Sequence, residues 1–255
     1  MDEPKRQDNP SLELPSVRNL LTEAWSILRT HATILLGYSG WLLAANFPLF
    51  LFQTGSETSG WVRAAIFFFS LVQTAVAFWL GILLPLLVRH FLETPSLPFA
   101  PLSKKTWLLF PSVLTVELLL AAVLLGGFLL FIFPALLCIV WFGFAPLSAI
   151  LEEKRGLNAF LRARALVKGR FWKAAWRLLA GPAFLFLLFL LAESALLGIL
   201  GGLEGWNPEV LLHESISPWV RVVSAVGDLF FLPLLAAYQV LVYRAFVHVT
   251  ERQTL

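Results

Sequence analysis

Charge is what this sequence has least of. Asp, Glu, Lys and Arg make up 14% of its 255 residues, whereas a soluble domain of that size carries roughly 25%. Hydrophobic residues make up 58%, and the mean hydropathy is +0.79. The deficit argues against an ordinary soluble enzyme and for a membrane protein. Cysteine is nearly absent as well. A lone Cys138 leaves no intramolecular disulfide and no cysteine metal cluster. The first residues do not read as a secretory leader: "MDEPKRQDNPSLELPS" is polar and proline-rich, with no apolar core behind it at signal-peptide length. Residues 1–15 read as a disordered cytoplasmic tail.

What the chain does have is long apolar runs. A bilayer core of about 30 Å needs roughly 20 apolar residues as helix. Runs of that kind cover residues 32–52, 61–88, 177–203 and about 219–247. A further stretch from Trp107 to Leu151 is far too long for one crossing at about 1.5 Å per residue, so it must fold back. Pro134 is the expected turn, with Gly126-Gly127 as the competing break, giving spans 107–132 and 134–151. The expected fold is therefore all-α and polytopic, a single six-span domain over residues 16–255, with a kink at Pro233.

Positive charge is distributed unevenly. With a cytoplasmic N-terminus, seventeen of the nineteen Lys and Arg residues fall on inside segments, and only Arg63 and Arg221 fall outside. The outer segment "LEGWNPEVLLHESISPW" holds Glu204, Glu209 and Glu214 and no Lys or Arg. This bias follows the positive-inside rule and predicts a multi-pass protein of a cytoplasmic (inner) membrane with both termini inside. Trp61, Trp107, Trp206, Trp219 and Tyr243 sit near span ends, as interface anchors do.

Two stretches have helical amphipathicity. In residues 16–31, Val17, Leu20, Leu21, Ala24, Ile27 and Leu28 share one face, and Ser16 after Pro15 makes a good N-cap. In residues 157–176, Ala159, Phe160, Ala163, Leu166 and Val167 share a side flanked by Arg162, Arg164 and Lys168. Both read as helices lying in the inner interface, the alternative being helices packed on the bundle. "EAWSILRTHAT" (23–33) and "RARALVKGRFW" (162–172) match weakly, as an internal repeat of interfacial helix plus hairpin would. Arg162, Arg164, Lys168, Arg170 and Lys173 would then face anionic lipid headgroups, at roughly 1 kcal/mol per basic residue near the surface. Topology already accounts for this charge, so no nucleic-acid partner is expected.

The run "FIFPALLCIVWFGFAPLSAILEEKRGLNAFLRARALVKGRFWKAAW" (131–176) resembles the six-span family named after glycerophosphoryl diester phosphodiesterase membrane domains. The matching positions are Pro134, Pro146, Glu152, Gly156, Ala159, Arg162, Leu166, Val167, Lys168, Gly169, Phe171 and Trp172. Ala163 stands where that family usually has Ser. The resemblance implies a shared bacterial six-span topology and little about activity. The phosphodiester chemistry in fused relatives belongs to a separate soluble barrel, whose His and paired-carboxylate motifs this chain lacks.

Other motifs are weak. "GYSG" (37–40) matches the Gly-x-Ser-Gly of rhomboid proteases, but none of His31, His90, His213 and His248 lies in a motif that would make it the base. "VGDLF" around Asp228 is similar to intramembrane aspartyl proteases, but Ala225 replaces their first Gly and their Tyr-Asp partner is missing. Hence no catalytic residues, metal ligands or cofactor are expected, and the chain reads as non-enzymatic. Glu117, Glu193 and Asp228 are sharper. Each falls within a span, where a carboxylate costs about 2.5–3.5 kcal/mol on insertion scales and marks protein-facing or water-filled space. They form either a relay or polar cavity, or carboxyls hydrogen-bonded across helices to Asn46, Gln73 or Gln239. The first functional expectation is a membrane-organising, lipid-sensing or accessory protein. The alternative is a small transporter or channel using Glu117 and Asp228.

Overall fold

The computed structural model describes residues 14–53, 59–93, 99–204 and 218–254. Most of the expected tail and most of the acidic outer segment lie outside these residues. Within them the chain forms nine helices: α1 (Val17–Thr30), α2 (Ala32–Gln53), α3 (Gly60–Glu93), α4 (Phe99–Leu130), α5 (Ile132–Phe142), α6 (Ala145–Leu151), α7 (Leu157–Val167), α8 (Phe171–Glu204) and α9 (Pro218–Thr254). No strand occurs among the described residues. Six segments are long and apolar enough to cross a membrane: residues 32–52, 60–93, 101–130, 132–151, 171–200 and 222–252. The expected all-α, six-span architecture is present.

Local chemistry explains the boundaries. Ser16 Oγ accepts from the Asn19 amide and caps α1, satisfying one orphan N–H of its first turn. The α4–α5 turn falls at Phe131, whose backbone is extended, rather than at Pro134. Proline costs little in a first helical turn because its missing N–H has no partner there, so α5 begins two residues earlier and contains Pro134. Gly127 serves the same hairpin by close approach: a Cβ there would come within 2.9 Å of the Ala135 Cα. The fourth span is broken. Pro146 has no N–H to donate to the Phe142 carbonyl, and the helix stops at Phe142 and resumes as α6. The break is tolerated because protein covers it; Phe144, Ala145 and Ala149 are fully buried.

The expected amphipathic helix 157–176 is two elements. Gly156 (φ +50°) precedes α7, and Gly169 (φ +77°) separates it from α8. Both values lie in the left-handed region that glycine adopts at no steric cost. Residues 171–176 are thus the start of the fifth spanning helix. Pro233, the expected kink, lies inside α9, which continues through it.

The core is one contiguous cluster concentrated at the basic end, where α1, the α6–α7 connection and the C-terminus of α9 meet. There α3 is enclosed on all sides, with every residue from Ile82 to Val88 buried. The apolar faces of the amphipathic helices are also spent here. Leu20, Ala24, Ile27 and Leu28 of α1 are buried, with α9 as its main neighbour. Ala159, Phe160, Ala163, Leu166 and Val167 of α7 are buried, and α7 packs mainly on α6 and α5. Both helices sit on the bundle instead of turning these faces to lipid. Away from the basic end the helices expose apolar surface. Only 6% of the most apolar window of the fifth span is buried, against 50% in the fourth.

Candidate functional site

Two polar regions stand out, one at each end of the bundle. At the basic end, Glu152 closes α6. Arg162 Nε donates to both its carboxylate oxygens, at 2.8 and 3.0 Å, and Tyr243 Oη of α9 donates to Oε1 at 2.7 Å. This carboxylate holds the Arg162 proton still more firmly than usual. Lys105 Nζ meets Glu153 Oε1 at 2.6 Å and holds that exposed carboxyl below the ordinary range. Arg89 pairs with Glu93 at 2.9 Å and donates to the Leu151 carbonyl. Arg177 donates to the Leu14 and Pro15 carbonyls at 2.8–3.0 Å, tying the chain before α1 to the start of α8.

These contacts sort the basic residues expected at lipid. Arg162 is bound to Glu152. Arg170 reaches Thr250 Oγ1 and the Val249 carbonyl of α9, and burial there lowers its pKa. Arg164 lies 4.8 Å above the Trp141 ring. Lys168 and Lys173 are exposed, with no described carboxylate within ion-pair distance. Trp172 and Trp176 beside them are 81% and 67% exposed.

The resemblance positions acquire physical roles. Pro134 and Pro146 open α5 and α6 within their first turns. Glu152 holds α7 to α9 through Arg162 and Tyr243, and Gly156 turns the chain into α7. Lys168 caps the end of α7, Gly169 turns left-handed, and Phe171 restarts the helix as α8. Phe171 is half-buried, its ring 6.5 Å from Trp141 and 5.5 Å from Trp172.

The second region is a cavity of about 650 Å³ between α2, α3 and α9. Asn46, Ser70, Gln73, Ser224 and Asp228 contribute its polar wall. Asn46 and Gln73 were expected as partners of an intramembrane carboxyl; Ser70 and Ser224 were not. Ser70 lies three residues before Gln73, and Ser224 four before Asp228, spacings that put each pair on one helix face. Gln239 does not line the cavity. Asp228 is about 22 Å along α9 from Tyr243, fifteen residues at about 1.5 Å each, so the two polar regions are well separated. No hydrogen bond or ion pair joins the Asp228 carboxyl to another described residue. Glu193 comes from α8 and approaches α9 beside Ser224 and Asp228. Its carboxyl presses so closely on Gly227 that a Cβ there would lie 1.9 Å from Oε1. The structure thus brings Glu193 to Asp228, while Glu117, half-buried on α4, does not line the cavity.

Protease chemistry finds no support. Ser39 is fully buried and its Oγ has no hydrogen-bonding partner among the described residues. His31, the nearest histidine in sequence, stacks on Phe91 with ring centroids 3.9 Å apart. Among the described residues no three His, Cys, Asp or Glu side chains gather to hold a metal. Fold and sites together define an all-α multi-pass membrane protein with an acid-bearing cavity in its loosely packed half. No protein-family model matches the chain, and no curated protein or solved structure is detectably similar to it.

Proposed function

We propose that this protein is a small, non-enzymatic transporter or channel of a bacterial inner membrane, with both termini cytoplasmic and Asp228 as the central group of its ligand site. The observation that carries this is the cavity reaching Asp228. A carboxyl placed that deep is costly unless it is used or paired, and Asp228 has no hydrogen-bonding or ion-pair partner among the described residues. Glu193 near it supplies a second acidic group through which a proton or cation can be handed on. The charge bias of the sequence supports the orientation. The family resemblance of residues 131–176 supports the bacterial setting.

The membrane-organising reading ranks second. Lys168, Lys173, Trp172 and Trp176 favour it, because an exposed basic and aromatic rim suits anionic headgroups. The burial of the apolar faces of α1 and α7 weakens it.

Reconstituting the purified protein in liposomes and following proton or cation flux tests the proposal. Wild type should conduct above empty liposomes, Asp228→Asn should reduce flux at least tenfold, and Glu117→Gln, outside the cavity, should retain it. Equal flux in wild type and Asp228→Asn would overturn the assignment.

A further inference from the structure

We infer that the cavity takes a lipophilic organic cation: a positively charged head at Asp228 and an apolar body along the walls. This rests on the reading of the cavity as a ligand site. Its lining is mixed in a particular way. One carboxyl, two amides and two hydroxyls face seven apolar residues, and no Lys or Arg is among them. Among the described lining residues the only charge is therefore the Asp228 carboxylate, with Glu193 approaching the same stretch of α9 at Gly227. Arg63 on α3 lies seven residues before Ser70, about 10 Å away along the helix. A cation complements this arrangement and an anion opposes it.

The apolar part argues against a divalent metal ion. A divalent cation seeks six or more oxygen ligands, several of them charged, and most of this lining is hydrocarbon. Phe47 and Phe50 stand on the α2 side, where ring faces can receive a weakly hydrated cation. Entry is open from the side. Phe47, Val222 and Val226 line the cavity and remain exposed, so its apolar wall is open rather than enclosed. A ligand already dissolved in the membrane would meet this apolar wall first. The volume of about 650 Å³ lies within the roughly 300–1,000 Å³ range of pockets that hold drug-sized molecules.

Two probes of the same shape and opposite charge, tetraphenylphosphonium and tetraphenylborate, test this on the full chain in nanodiscs, with empty nanodiscs subtracted. The phosphonium should bind saturably and at least tenfold more tightly than the borate. Asp228→Asn should remove that preference, and Ala225→Leu, which fills the lining, should block binding. The probe comparison on wild type needs no variant to fold. Saturable binding blocked by Ala225→Leu but equal for the two probes, or stronger for the borate, would overturn the cation assignment and leave the cavity a ligand site. Saturable binding of neither probe would overturn both.

Discussion

Replacing Gly181 by Ala should damage this protein more than any other single methyl group placed in α8. The methyl carbon would sit 2.0 Å from Tyr238 Cζ and 2.1 Å from its Oη. Tyr238 cannot easily retreat: it is 1% exposed, and its hydroxyl donates to the Arg177 carbonyl at 2.7 Å. Overpacking of this kind costs about 1–3 kcal/mol. Stranding the displaced hydroxyl costs a further amount of about 1–3 kcal/mol. The better helix propensity of Ala returns about 1 kcal/mol, leaving a net loss of about 1–5 kcal/mol. Unfolding of the purified protein in mild detergent measures it. Tyr238→Phe keeps the ring and loses only the hydrogen bond, so it should cost about 0.5–1.5 kcal/mol. On a Tyr238→Ala background, Gly181→Ala should become nearly harmless, because the ring it strikes is gone. A double-mutant cycle isolates that coupling. A Gly181→Ala protein as stable as wild type, or a coupling within about 0.5 kcal/mol of zero, would refute the packing argument.

Adjacent glycines in α4 offer a built-in control: Gly127→Ala should destabilise by about 1–3 kcal/mol because its Cβ strikes Ala135, whereas Gly126→Ala, with open space around it, should be neutral or better in the same unfolding assay. Lys105 lowers the Glu153 pKa, so this pair stabilises above the unfolded carboxylate range and the contribution fades as pH falls through the depressed value. Both groups are exposed, so Glu153→Gln should cost less than about 1 kcal/mol at neutral pH and the loss should shrink in high salt. Lys168→Gln with Lys173→Gln should reduce co-purifying anionic lipid, while Arg170→Gln should act mainly on stability, since Arg170 is bonded to α9; unchanged lipid in the double variant would count against an interfacial role.

The spans were legible because a run of apolar residues has few alternatives to crossing a bilayer, and charge bias needs no tertiary contact to be read. The break at Phe131 was misplaced by three residues because proline was read as a stop, when in a first turn it is a start. The start of the fifth span was misplaced for a related reason: Gly169 interrupts the amphipathic pattern, and Phe171, Trp172 and Trp176 look alike whether they lie on a membrane or enter it. The destination of an apolar face cannot be read from its periodicity. Leu20 and Leu166 would have the same spacing against lipid as against α9 or α6. Asp228 was visible as an unusual residue at depth, and Asn46 and Gln73 as polar residues within spans. Their convergence on one cavity, the approach of Glu193 and the exclusion of Glu117 are tertiary facts. The one sequence signal for the Glu193 contact was Gly227, the small residue beside Asp228 that makes room for it.

The concentration of the core at one end gives the molecule an uneven stiffness. Around α6, α7 and the C-terminal half of α9, side chains interlock and ion pairs bridge helices. Toward the opposite end the same long helices run on with few protein neighbours, like tines rooted in a common handle. Local opening costs least where buried contacts are fewest. In a bilayer the acyl chains press those tines together, so the lipid itself completes the walls that the protein leaves open. Thinning or loosening the membrane on that side would widen the cavity between α2, α3 and α9, while the handle kept its shape.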